Sequence, residues 1–108
     1  MSNPGLEITR VIGGKKYSTL TAKFVGTIVE KHMGLMNFSN EVTALYVTKR
    51  GQWFVAGQGG GATRWCRTAS DGGYLPGSGI ELIGAAEARG LMEEKNLPVE
   101  DFFEVEEG

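Results

Sequence analysis

Apolar residues along this chain fall into two rhythms. Between Ser18 and Gly34, Leu20, Phe24, Val25, Ile28 and Val29 recur at i, i+4, i+5, i+8 and i+9, the stripe of an amphipathic helix. Ser18 or Thr19 is placed to cap that helix, because a side-chain oxygen there accepts a first-turn N–H. Lys31 and His32 fall in its last turn, where the helix dipole favours positive charge, and Gly34 suits the left-handed residue that closes it. A second helix is predicted over "AAEARGLMEEKN" (85–96), with Ala88, Leu91 and Met92 facing inward. Asn96 ends it, and Pro98 cannot extend it. The closing "VEDFFEVEEG" reads as one more helical turn with Phe102 or Phe103 packed on the core.

The other rhythm is that of strands. Leu6 and Ile8, then Val11 and Ile12, suggest a first strand that stops at Gly13–Gly14, a tight-hairpin signal ahead of "KKYS". Leu45 and Val47 alternate with Tyr46 and Thr48, "KRGQ" supplies a turn, and Trp53, Phe54 and Val55 favour a strand. These predict a hairpin of Val42–Thr48 and Gln52–Gly57, a third strand around Ala62–Thr68 and a short one at Ile80–Ile83. Residues 35–40 and 70–79 read as connectors. The expected fold is α+β: an antiparallel sheet of four to five strands with two helices on one face. One small domain spans 1–108, with an acidic C-terminal tail from about residue 99.

Composition narrows the setting. A chain of 108 residues is a single-domain length, and no apolar run approaches the ~20 residues that cross a bilayer, so no membrane is expected as a partner. "MSNPGLEITR" has no basic stretch leading into an apolar one, so no secretory signal is expected. Cys66 is the sole cysteine, which fits a reducing, cytoplasmic location. Charge is distributed unevenly. Residues 1–41 hold five bases against three acids, 42–70 hold four bases and no acid, and 71–108 hold two bases against ten acids. Such blocks bear on partners and solubility, not on fold.

Catalytic chemistry finds little support. Gly57-x-Gly59-x-x-Ala62 matches a dinucleotide fingerprint in letters, but that motif needs a helix directly after it, and "TRWCRTASDGG" reaches a turn too soon. The glycines are expected to serve a bulge or sharp bend. His32 suits a solvated helix end, and one histidine with one cysteine cannot close a zinc site. No enzyme activity, cofactor or metal is expected. Two binding surfaces remain. Lys49, Arg50, Arg64 and Arg67, interleaved with Trp53 and Trp65, have the ingredients of a nucleic-acid platform where bases stack on aromatics. Glu87, Glu93, Glu94, Glu100 and Asp101 offer an acidic face suited to a basic protein surface. Which of these operates turns on whether Trp53 and Trp65 face the core or the solvent.

Two stretches carry a family likeness: Lys16, Tyr17, Thr19, Thr21 and Ala22 ahead of an expected helix, then Leu45, Tyr46, Thr48, Gly51, Trp53, Phe54, Gly57, Gly59 and Gly60. The pattern resembles small, mostly uncharacterised proteins of phages, plasmids and integrative elements, over roughly residues 15–96. Gln58 departs from the acid that group more often shows. The resemblance implies a mobile-element setting and transfers no activity. The expectation drawn from it is a non-enzymatic, anti-CRISPR-like inhibitor that binds a host defence complex through the acidic face and blocks nucleic-acid access. A nucleic-acid-binding regulator using segment 46–67 is the alternative. A homodimer is compatible with either, through a sheet edge or aromatic face.

Overall fold

The computed structural model describes residues 3–32, 34 and 37–108. Its centre is a four-stranded antiparallel sheet of β3 (Lys23–Lys31), β4 (Glu41–Val47), β5 (Trp53–Gly59) and β8 (Gly77–Ile83), in the spatial order β3-β4-β5-β8. Two short ribbons flank it: β1 (Thr9–Ile12) with β2 (Lys15–Ser18), and β6 (Arg67–Thr68) with β7 (Tyr74–Leu75). A single α-helix, α1 (Ala85–Glu94), follows β8, and a 3₁₀ turn spans Val99–Asp101.

The sheet is buried on both faces, and strand alternation divides its side chains between two cores. Leu45, Trp53 and Val55 pack with Val25, Ile28 and Ile83 beneath Ala88 and Met92 of α1. Ala44, Tyr46, Phe54 and Ala56 point the other way, onto Leu6, Ile8 and Tyr17 of the N-terminal segment and hairpin. The molecule is therefore three-layered, with hairpin, sheet and helix stacked in that order.

Three expectations are overturned. The helix expected from Ser18 to Gly34 does not form: Ser18 ends β2, residues 19–22 turn, and Lys23–Lys31 are strand β3; Met33 lies outside the described residues, as do 35 and 36 of the predicted connector. The reason lies in the register. Phe24 stands opposite Tyr46 and Gly26 opposite Leu45, leaving Val25 as an extra residue. Thr27 stands opposite Ala44 and Val29 opposite Thr43, leaving Ile28 as a second. Two bulges three residues apart send both extra side chains into the helix-side core. They turn a period of two into the 24-25-28-29 spacing that resembles a helix. Gly26 and the β-branched Thr27, Ile28 and Val29 weaken the helical option locally, and pairing with β4 decides it. Leu20, predicted inward, is 68% exposed. Thr19 does bond backbone, but as a cross-link: Ile8 N–H donates to its Oγ1 at 3.0 Å, and that hydroxyl donates to Leu6 O at 2.8 Å.

The second correction follows: the sheet carries one helix and a 3₁₀ turn, not two helices. The third concerns residues 62–68. Only Arg67 and Thr68 pair, with Leu75 and Tyr74, and the residues before them form turns.

The remaining elements follow their local signals. Gly13 and Gly14 both take positive φ, 59° and 82°, the mirror-image turn that suits a two-residue hairpin. The β4–β5 connection closes through Thr48 N–H to Gln52 O and Gly51 N–H to Thr48 O, both 2.9 Å, with Gly51 at φ 87°. As an edge strand, β3 carries Lys23, Glu30, Lys31 and its two bulges, features that oppose pairing with a second sheet.

Tyr46 is a polar exception inside the hairpin-side core. Its ring stacks on Phe54 at 5.3 Å and meets Phe24 edge-on at 5.7 Å, while its buried hydroxyl makes no hydrogen bond of sound geometry among the described residues. Burial pushes the phenol up to about 12, opposed slightly by the nearby Asn3 side chain. The unfolded phenol ionises near 10, so between these values the unfolded chain binds fewer protons and stability falls as pH rises. Its contribution is intact below about pH 10, and the loss reaches roughly 2–3 kcal/mol by the top of that window. Tyr46→Phe is expected to leave neutral-pH stability unchanged or up to about 1 kcal/mol higher, and to remove this alkaline loss. Urea unfolding below and above pH 10 checks it; an equal alkaline loss in the variant would assign the effect elsewhere.

Candidate binding surfaces

Gly57 on β5, with Gly77 and Gly79 on β8, forms a seat for an indole. A Cβ on Gly57 would strike Trp65 Nε1 and the Val42 carbonyl, and one on Gly79 would lie 3.3 Å from the six-membered ring of Trp65. A Cβ on Gly77 would strike the Trp65 carbonyl. These small residues on β5 and β8 leave the space that the ring fills. Trp65 Nε1–H donates to Thr43 Oγ1 at 2.8 Å, and the Thr43 hydroxyl donates on to the Glu41 carboxylate. A buried indole N–H needs such a partner. Trp65 is 8% exposed. Trp53 is 6% exposed, stacked on Phe103 at 5.3 Å and meeting Phe102 edge-on at 5.5 Å. Both tryptophans face the core.

The basic-aromatic platform read from segment 46–67 is thereby separated into parts. Neither indole presents a face for a base. Arg64 lies 3.8 Å from Glu81 and over the Trp65 ring, and Arg67 Nε donates to Pro76 O at 2.9 Å. Lys49 and Arg50 stand elsewhere, at the crest of the β4–β5 turn. They share a groove of about 590 Å³ with Lys15 and Lys16, which follow the Gly13–Gly14 turn. Tyr17 and Thr48 also line it, and no acid does. The two lysines were legible in principle, since both hairpin crests place a basic dipeptide beside turn glycines.

The acidic residues form a different surface. Glu87, Glu93 and Glu94 of α1, with Glu100 and Asp101 of the 3₁₀ turn, are all exposed, and among the described residues none makes an ion pair. Helical geometry puts Glu87 and Glu94 on one side and Glu93 about 100° round. The layer beneath is firmly attached. Phe102 and Phe103 grip Trp53, Lys23 Nζ lies 5.0 Å from the Phe102 ring centre, and the Arg89 guanidinium lies 5.9 Å from that of Phe103.

No protein-family model, curated protein or solved structure matches the chain. Function therefore rests on what these surfaces can do. Among the described residues no three His, Cys, Asp or Glu side chains converge to hold a metal. His32 is exposed, 3.2 Å from Glu30. No helix is long and apolar enough to cross a membrane.

Proposed function

We propose that the chain is a non-enzymatic binding protein whose acidic layer docks on a basic protein surface. The observation that carries this reading is the state of Glu87, Glu93, Glu94, Glu100 and Asp101. All five are solvent-facing and free of ion pairs among the described residues, on elements held to the sheet by the buried Ala88 and Met92 of α1 and by the packing of Phe102 and Phe103 on Trp53. A rigid acidic surface steers a basic partner by complementary potential, and its unpaired carboxylates require no internal pair to be broken on docking. The natural target is a groove that otherwise holds nucleic acid. In the mobile-element setting implied by the motifs, that makes the protein an anti-defence inhibitor of the anti-CRISPR kind, excluding nucleic acid from a host complex.

The tagged chain is expected to capture its partner from nuclease-treated host lysate. Glu93→Lys with Glu94→Lys is expected to weaken capture by about ten-fold or more and flatten its salt dependence. Both sites are exposed, so stability is expected to change by less than about 0.5 kcal/mol. Undiminished capture by the folded reversal variant would sink the proposal.

A further inference from the structure

Two hairpin crests, more than thirty residues apart in sequence, bring Lys15 and Lys16 together with Lys49 and Arg50 around one concavity. The lining holds no acid, and among the described residues none of the four makes an ion pair, whereas Arg64 has Glu81. The chain as a whole has more acids than bases, 13 against 11. Four bases bordering one hollow whose lining holds no acid give it a positive potential, which a bound anion relieves.

The supporting backbone is fixed on both sides. The Gly13–Gly14 turn sets the register that pairs Lys15 with Ile12 and Lys16 with Val11. Three hydrogen bonds close the other crest: Thr48 N–H to Gln52 O, Gly51 N–H to Thr48 O, and Gln52 N–H to Thr48 Oγ1 at 3.1 Å. None of these uses the N–H groups of Lys49 or Arg50, which stay outside the turn's own bonding. Tyr17, braced edge-on against Phe54 at 6.0 Å, is buried beneath. The cations thus stand on preorganised turns, which lowers the ordering cost of binding.

We infer that this groove binds a ligand carrying several phosphate groups, either a nucleoside polyphosphate or a short single strand of nucleic acid. Four cations call for a multiply charged anion. The Arg50 fork suits a phosphate's oxygens, and the lysines add point charges around it. A volume of about 590 Å³ accommodates a nucleotide-sized group. The site is independent of the acidic layer and owes nothing to Trp53 or Trp65.

The test is a titration of the isotopically labelled full chain at low salt, followed by amide resonances. The probes are pyrophosphate, a nucleoside triphosphate, oligothymidylates of increasing length, and a tetraglutamate peptide. Shifts are expected at residues 15–18 and 48–52. Lys15→Ala with Lys16→Ala, and separately Lys49→Ala with Arg50→Ala, are each expected to weaken binding about ten-fold or more. Arg64→Ala with Arg67→Ala is expected to leave it within about two-fold. For an oligonucleotide that engages all four cations, log affinity is expected to fall against log salt with a slope of roughly −3. A triphosphate that equals the oligonucleotides assigns the site to free nucleotides, and affinity that rises with length assigns it to a strand. The inference is overturned if no phosphate probe shifts the groove resonances, if tetraglutamate binds as tightly as the phosphates, or if only the Arg64/Arg67 variant loses binding. Thermal melts showing each variant folded keep these outcomes readable.

Discussion

Trp65→Ala is expected to destabilise the protein by about 3–5 kcal/mol, the usual cost of emptying a buried aromatic site. That is a large share of the roughly 5–15 kcal/mol a domain commonly has, and the midpoint of thermal unfolding is expected to fall by more than about 12 °C. The indole fills the space above Gly57 and Gly79 and joins the sheet-to-helix core with Val55 and Ile83. These glycines have no side chains to close the gap, so the cavity is expected to persist. The polar end contributes separately. Thr43→Val keeps the shape but leaves the Trp65 N–H buried without its acceptor, an expected cost of about 1–3 kcal/mol. Urea denaturation of both variants checks the pair. A loss below about 1 kcal/mol for Trp65→Ala would place the indole outside the core.

Gly57→Ala is expected to cost about 3 kcal/mol, the upper end of what overpacking a core usually costs, and to lower the midpoint of thermal unfolding by more than about 10 °C. The demand at Gly57 is for space, not for an unusual φ. Its added methyl would meet the Trp65 indole, with Cε2 at 2.7 Å, and also the Val42 carbonyl of the neighbouring strand. The ring is held by its hydrogen bond to Thr43, and the carbonyl belongs to the β4–β5 ladder. Gly26→Ala is the contrasting case. Its methyl would meet the Leu97 side-chain tip at 2.6 Å, an end that can rotate away, so a milder loss is expected. Gly90, with open space around it on the exposed face of α1, is expected to gain about 0.5–1 kcal/mol on replacement by alanine. Circular-dichroism melts of the three variants test the order Gly57, Gly26, Gly90. A Gly57 variant as stable as the Gly90 variant would contradict the seat described for Trp65.

The binding surfaces were unequally visible in the sequence. The acidic residues of α1 and the 3₁₀ turn are close together in the chain and stay together in space. The basic groove joins Lys15–Lys16 to Lys49–Arg50, and only the stacking of the hairpin against the sheet makes them neighbours. Arg64 and Arg67, adjacent to Trp65 in the chain, turn instead to Glu81 and the Pro76 carbonyl. Nearness along the sequence was therefore a sound guide on one helix and a poor one across turns.

By itself the sequence determined those elements whose geometry is set by a few adjacent residues. Gly13–Gly14 fixes one hairpin and the glycine-closed 49–51 loop another, because left-handed φ is open to glycine at little cost. Ala88, Leu91 and Met92 mark α1, because three- and four-residue spacing puts them on one side. Tertiary structure decided the rest. The segment around Phe24–Val29 is a strand because pairing with β4 satisfies its backbone while two bulges aim Val25 and Ile28 into the helix-side core. The glycines divide: Gly60 and Gly61 lie in the turn that leaves β5, whereas Gly57 of β5 and Gly79 of β8 make room for an indole that arrives from a later turn. Local propensity cannot encode either outcome, because each depends on which distant group occupies the neighbouring space.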